Sequence, residues 1–211
     1  MAAARASDPH RAALALLADF EARFDPGPVP PVPVERIAES HLGLLIEEVD
    51  DVRAIEGAPT GEGRLSGLLD PAAKTIWLDR REAARSPGRR RFTIAHECAH
   101  WVLHVAGAPA GAASADGCRV ADVAEEDEDG ATTRARGRAK REAEANAFAR
   151  ELLMPELLLV AETERAGHNL PALAERFGVS VPALRLRLLT LKLLPAWMAS
   201  APVAQPGGER R

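Results

Sequence analysis

The stretch RRRFTIAHECAHWVLH, residues 89–104, constrains this chain more than any other, because it sets His96 and His100 four positions apart with Glu97 directly after the first. On an α-helix, residues four apart share a face and are separated by about 6 Å along the axis, so both imidazoles can face one metal ion. Glu97 then lies one step around the helix, beside the ion, where a carboxylate can accept a proton from an attacking water. A catalytic zinc takes three protein ligands and keeps a fourth position open. The motif therefore supplies two ligands and a base, and the fold has to bring a third ligand from elsewhere.

The flanking sequence carries the signals of such a helix. Ser86 followed by Pro87 is an N-cap with proline at the first helical position, and Gly107 stands where the helix would stop. Upstream, AALALLADFEARF reads as an amphipathic helix and DPGPVPPVPV, residues 25–34, as a linker or ordered arm. Val34, Ile37 and Ala38 recur at helical spacing before Gly43, and LLIEEV at 44–49 looks like a strand. LSGLL (65–69) and KTIWL (74–78) flank the turn DPAA and predict a β-hairpin. The pattern implies an α+β fold in which a small antiparallel sheet precedes the active-site helix, and the hairpin's edge would align an extended substrate.

Residues 108–138 lose apolar periodicity and carry an acidic stretch within 122–129 followed by alternating arginines, which reads as a mobile surface insertion. KREAEANAFARELLMPE restores helical character from Lys140 to Met154. This second helix offers Glu142 as the third zinc ligand, with Asn146 four residues on along the same face to hydrogen-bond a ligating imidazole from outside. Glu144 points roughly away from that face and ranks behind Glu142. His104 continues the four-residue series but lies about 12 Å along the axis from His96, too far to share one zinc. It is a candidate catalytic group instead, a donor to the oxygen that becomes negative during the reaction or an orienting group. The chain has no tyrosine for that task, which leaves His104, His168, an arginine or backbone amides. Cys98, Phe92, Trp101 and Phe148 read as core.

Composition narrows the partners. A net charge of −4 and a pI near 5.9 give no global attraction to nucleic acid. Two cysteines, Cys98 and Cys118, are too few for a disulfide framework and fit a reducing cytoplasm, and no apolar run has the length of a membrane span. Near the C-terminus, Leu170, Leu173, Ala174 and Phe177 form one apolar stripe and Val181, Leu184, Leu188 and Leu191 a second, joined by GVS. That is a helix-turn-helix pattern over 166–195, in which Arg185 and Arg187 could touch phosphate. The acidic pI favours a module that packs on the catalytic part or docks a protein. Four segments result: a helix and linker at 1–28, a main domain at 29–165, this helical segment, and a tail at 196–211.

RFTIAHECAHWVLH and EAEANAFARELLMP together resemble the ImmA/IrrE family of metallo-endopeptidases, and the similarity extends more weakly over about residues 29–195. The resemblance implies a zincin-like fold and a cytoplasmic zinc protease whose substrate is a partner transcriptional repressor of the helix-turn-helix class, in control of a mobile element or a stress response. It maps the family's zinc ligands onto His96, His100 and Glu142 and its general base onto Glu97. Cys98 and Ala99 stand where Leu-Gly is frequent, and the segment between the two motifs is longer than usual. A rival function is a transcriptional regulator or sensor that uses this fold to bind a partner and the C-terminal segment to bind DNA.

Overall fold

The computed structural model describes residues 8–24, 27, 29–56, 58, 65–106, 120–123 and 133–194. Gly107, Cys118, the acidic run 125–129 and the tail from 196 lie outside the described residues.

Helix α1 (Pro9–Phe24) turns Ala12, Ala13, Leu16, Leu17 and Phe20 inward, the stripe its sequence predicts. The proline-rich stretch after it is an ordered arm where it is described, since Val32 and Val34 are buried. Helix α2 (Val34–Arg36) continues as a π-helical turn over Ile37–His41, and Gly43, at a φ of +69°, reverses the chain into strand β1 (Leu45–Val49). A short 3₁₀ turn (Val52–Ala54) leads towards strands β2 (Leu65–Asp70) and β3 (Thr75–Asp79), the hairpin expected from the turn at DPAA. The Asp70 carboxylate caps that turn, accepting from the amides of Ala72 and Ala73. Helices α3 (Arg80–Arg85) and α4 (Pro87–His100) follow, then strand β4 (Val120–Val123) and helices α5 (Thr133–Leu153), α6 (Glu156–Ala166), α7 (Leu170–Phe177) and α8 (Val181–Thr190). No helix among the described residues is long and apolar enough to cross a membrane.

The sheet differs from the expected small antiparallel one in two ways. Its order is β1-β3-β2-β4, and it is mixed, because β3 inserts between β1 and β2 and so runs parallel to β1, with Leu45 opposite Thr75. Residue patterning reports which side chains are buried, not which way a neighbouring strand runs. The second difference is β4, which comes from the stretch read as a surface insertion and pairs antiparallel with β2, Leu69 opposite Val120. Helix α5 likewise starts inside that stretch, at Thr133. In consequence β2 and β3 are both interior strands, and the hairpin offers no free edge to a substrate. The outer strands are β1, whose Glu47 and Glu48 mark it as an edge, and β4.

Helix α4 lies across the sheet and α5 packs along α4, with Leu69, Ile76, Leu78, Ile94, Ala95, Phe148 and Leu152 among the residues of the main core. Each such leucine, isoleucine or phenylalanine removed from water stabilises the fold by roughly 1.5–3 kcal/mol. Leu173, Ala174, Phe177, Leu184 and Leu188 of the C-terminal pair belong to the same cluster. The turn between α7 and α8 uses Gly178 in the left-handed region at a φ of +63°, and Ser180 caps α8.

One assignment fails here. Arg187, read as a possible phosphate contact, is 3% exposed, donates to the Met154 carbonyl oxygen and forms an ion pair with Glu151. It faces inward because Leu184 and Leu188, on either side of it, set the buried face of α8. Glu151 also accepts from His10 Nδ1 at 2.9 Å, so one carboxylate joins α1, α5 and α8. Replacing Arg187 with Ala leaves that carboxylate buried beside a histidine that is itself half exposed. A loss of about 3–5 kcal/mol is expected in urea unfolding; an unchanged midpoint would contradict the ion pair's structural role.

Candidate metal centre

The site grows from the start of α4. Ser86, in extended conformation, accepts from the Arg89 amide through Oγ at 3.4 Å, and Pro87 occupies the first turn, where a missing N–H costs nothing. From Thr93 to His100 every residue of α4 is buried, because β2 covers one side and α5 the other. His96, Glu97 and His100 are all fully buried.

Three side chains converge. His100 Nε2 lies 2.9 Å from His96 Nε2, His96 Nε2 lies 3.1 Å from one Glu142 oxygen, and His100 Nε2 lies 3.7 Å from the other. One ligand atom from each of the three residues falls within 4.8 Å of the others. Two zinc bonds of about 2.0–2.1 Å meeting at a tetrahedral angle hold their donor atoms about 3.3 Å apart, so the observed separations bracket what such an ion requires. The hydrogen bonding agrees. His96 Nδ1 is 3.2 Å from Asn146 Oδ1, and since the amide oxygen only accepts, the ring donates from Nδ1 and presents a lone pair at Nε2. That lone pair faces a carboxylate and a second imidazole, an arrangement a shared cation satisfies. The residues present therefore fit a zinc ion held by His96, His100 and Glu142.

The electrostatics point the same way. Burial pushes His100 down to about 4, against the opposing pull of Glu142, so its ring is neutral near pH 7 as ligation requires. Burial alone would raise Glu142, but its close side-chain contacts with His100 and His96 outweigh it and hold the carboxyl down to about 2. Glu142 is thus anionic beside a neutral His100.

Glu97 sits under β2 at Gly67. A Cβ at position 67 would lie 3.4 Å from Glu97 Oε1 and collide with the methyl of Thr93, so only glycine lets the strand lie on the helix at this point. The sequence reading passed over Gly67; the available signal was a glycine inside the strand pattern LSGLL, which marks close backbone approach.

Of the remaining candidates, Asn146 lies against His96, as described. Its replacement by Ala should weaken zinc binding by roughly 10–100-fold by freeing the ring's orientation; a competition titration against a chelator that gives wild-type affinity would remove it from the site. His104 lies outside the cluster. It belongs to a π-helical turn (Trp101–Val105) that extends α4, its ring centroid is 5.3 Å from that of His100, and its Nε2 lies 3.9 Å from Glu144. Glu144 accordingly faces His104 and Lys140, not the His96 and His100 pair. His168 Nε2 lies 2.9 Å from the Leu193 carbonyl oxygen, just beyond α8, and is not among the converging residues. Cys98 is buried in the core with its thiol pushed up by burial, an inert group.

No curated protein matches the chain. Among solved structures, a Mycobacterium tuberculosis transcriptional regulator aligns with a TM-score of 0.52 at 19% identity, covering 85% of this chain and 47% of its own. At that identity the likeness is one of fold, and this chain spans about half the length of that regulator. The family profile of the IrrE N-terminal-like domain, peptidase family M78, matches residues 54–189. That span takes in β2, β3, the His96 and His100 helix, the Glu142 helix and nearly all of α8. The chain belongs to the IrrE N-terminal-like domain family, peptidase family M78.

Proposed function

We propose that this protein is a cytoplasmic zinc-dependent endopeptidase that cleaves a partner protein, a helix-turn-helix transcriptional repressor. The observation that carries the reading is the meeting of His96 Nε2, His100 Nε2 and the Glu142 carboxylate beside the buried carboxylate of Glu97. A zinc ion supplies, when bound, a Lewis acid that brings the pKa of water to about 7 and polarises a scissile carbonyl. Glu97 takes the proton from the attacking water and passes it to the leaving amine. Asn146 holds His96 in the tautomer that ligates. His104 is the side chain proposed to donate to the carbonyl oxygen as it becomes negative, and backbone amides near the site would share that task.

The substrate's extended backbone is assigned to the outer edge of β4, the strand beyond β2, since β2 and β3 are interior. The rival function, a regulator reading DNA through α7 and α8, loses one of its two arginines to the buried pair with Glu151. Incubating the zinc-loaded protein with the helix-turn-helix repressor encoded beside its gene tests both. A discrete, chelator-sensitive fragment is the expected result. An intact repressor, together with salt-dependent binding to a specific duplex, would instead establish the rival.

A further inference from the structure

A cavity of about 440 Å³ lies between the start of α4, the end of α5 and the turn joining α7 to α8. Its size is that of a small-molecule pocket, roughly 300–1,000 Å³. Phe92, Met154, Val179, Ala183 and Leu186 give it apolar walls, and three arginines, Arg85, Arg89 and Arg150, stand around it.

The three arginines are not equivalent. Arg85 and Arg89 both pair with Glu82, at 3.3 and 2.5 Å. Arg150 is half-buried and has no hydrogen-bond or ion-pair partner among the described residues. Burial and the nearby positive charge of Arg187 both hold its pKa down. The Arg187 charge is already matched by Glu151. A half-buried guanidinium without a partner among the described residues, beside apolar walls, suits an oxyanion attached to a hydrocarbon body. Arginine's planar fork suits a carboxylate by two parallel hydrogen bonds.

We propose that this cavity binds a small amphipathic anion, with a carboxylate on Arg150 and a hydrocarbon chain against Phe92, Met154 and Leu186. Leu186 is 54% exposed, and such a chain would cover it. The pocket shares no residue with the metal cluster, yet Phe92 lies one helical turn before His96, ring centroids 6.3 Å apart. A ligand would bridge α4, α5 and α8 and stabilise the folded state by mass action. None of this depends on the peptidase reading, and the test does not use cleavage.

Octanoate titrated into the purified full chain by calorimetry is expected to bind saturably, one per chain, at least about tenfold more tightly than 1-octanol or octylamine. It should raise Tm by several degrees at saturation, and acetate should show no binding. Arg150→Gln, which removes an unmatched charge and should fold at least as well, is expected to erase the preference of octanoate over octanol while zinc content stays the same. Ala183→Trp is expected to fill the cavity and abolish binding of both. Equal affinity for octanoate and octanol in the wild-type chain, wild-type octanoate affinity in either variant, or no saturation would overturn the proposal. The wild-type comparison decides it even if a variant fails to fold.

Discussion

Glu97→Gln should cut cleavage of the repressor by about 10²–10⁴-fold while leaving zinc content unchanged. The amide matches the carboxylate in size, so the fully buried site under Gly67 keeps its packing, but an amide cannot take a proton. Glu97 is not among the three residues whose ligand atoms converge, which is why metal should be retained. The measurement is fragment yield against metal stoichiometry in the same preparation. Full activity would end the assignment of Glu97 as the base, and loss of metal along with activity would make it a ligand.

Glu142→Ala is expected to act on the other quantity. It removes the anionic member of the cluster and leaves only two imidazoles, so zinc affinity should fall by more than the roughly 10–100-fold expected for Asn146→Ala. Activity should follow at limiting metal. The loss also has a steric part, because His96 and His100 both lie against this carboxylate and would be free to reorient. Unaltered zinc content would hand the ligand role to another acid, and Glu144, which faces His104, would have to swing to take it.

Much of the site was legible because helical spacing is a short-range rule. His96 and His100 four apart, and Glu142 and Asn146 four apart on a second helix, each define a face without knowledge of the rest of the chain, and in the structure these faces meet. The start of α4 was legible for the same local reason, Ser86 capping and Pro87 filling the first turn. What escaped depended on partners distant in sequence. The parallel pairing of β1 with β3 follows from where β3 inserts, which no residue in LLIEEV announces. Strand β4 is four residues in a stretch with no apolar run, held by its pairing with β2. Arg187 looked like a surface cation because its partner, Glu151, lies 36 residues away on another helix. The π-helical turn at Trp101–Val105, which sets the direction of His104, has no side-chain signature in the sequence at all.

The carboxylate of Glu151 ties the family-matched region to a helix that lies outside it. The family match starts at residue 54, yet α1, from Pro9, packs against the ligand-bearing α5 and sends His10 to the same acid that Arg187 reaches from α8. A boundary drawn at the homologous region would strip His10 from that carboxylate and uncover the face of α5 on which α1 packs. Excising the N-terminal helix would therefore be felt at Glu151, about one and a half turns along α5 from Asn146 and on the same helix as the candidate ligand Glu142.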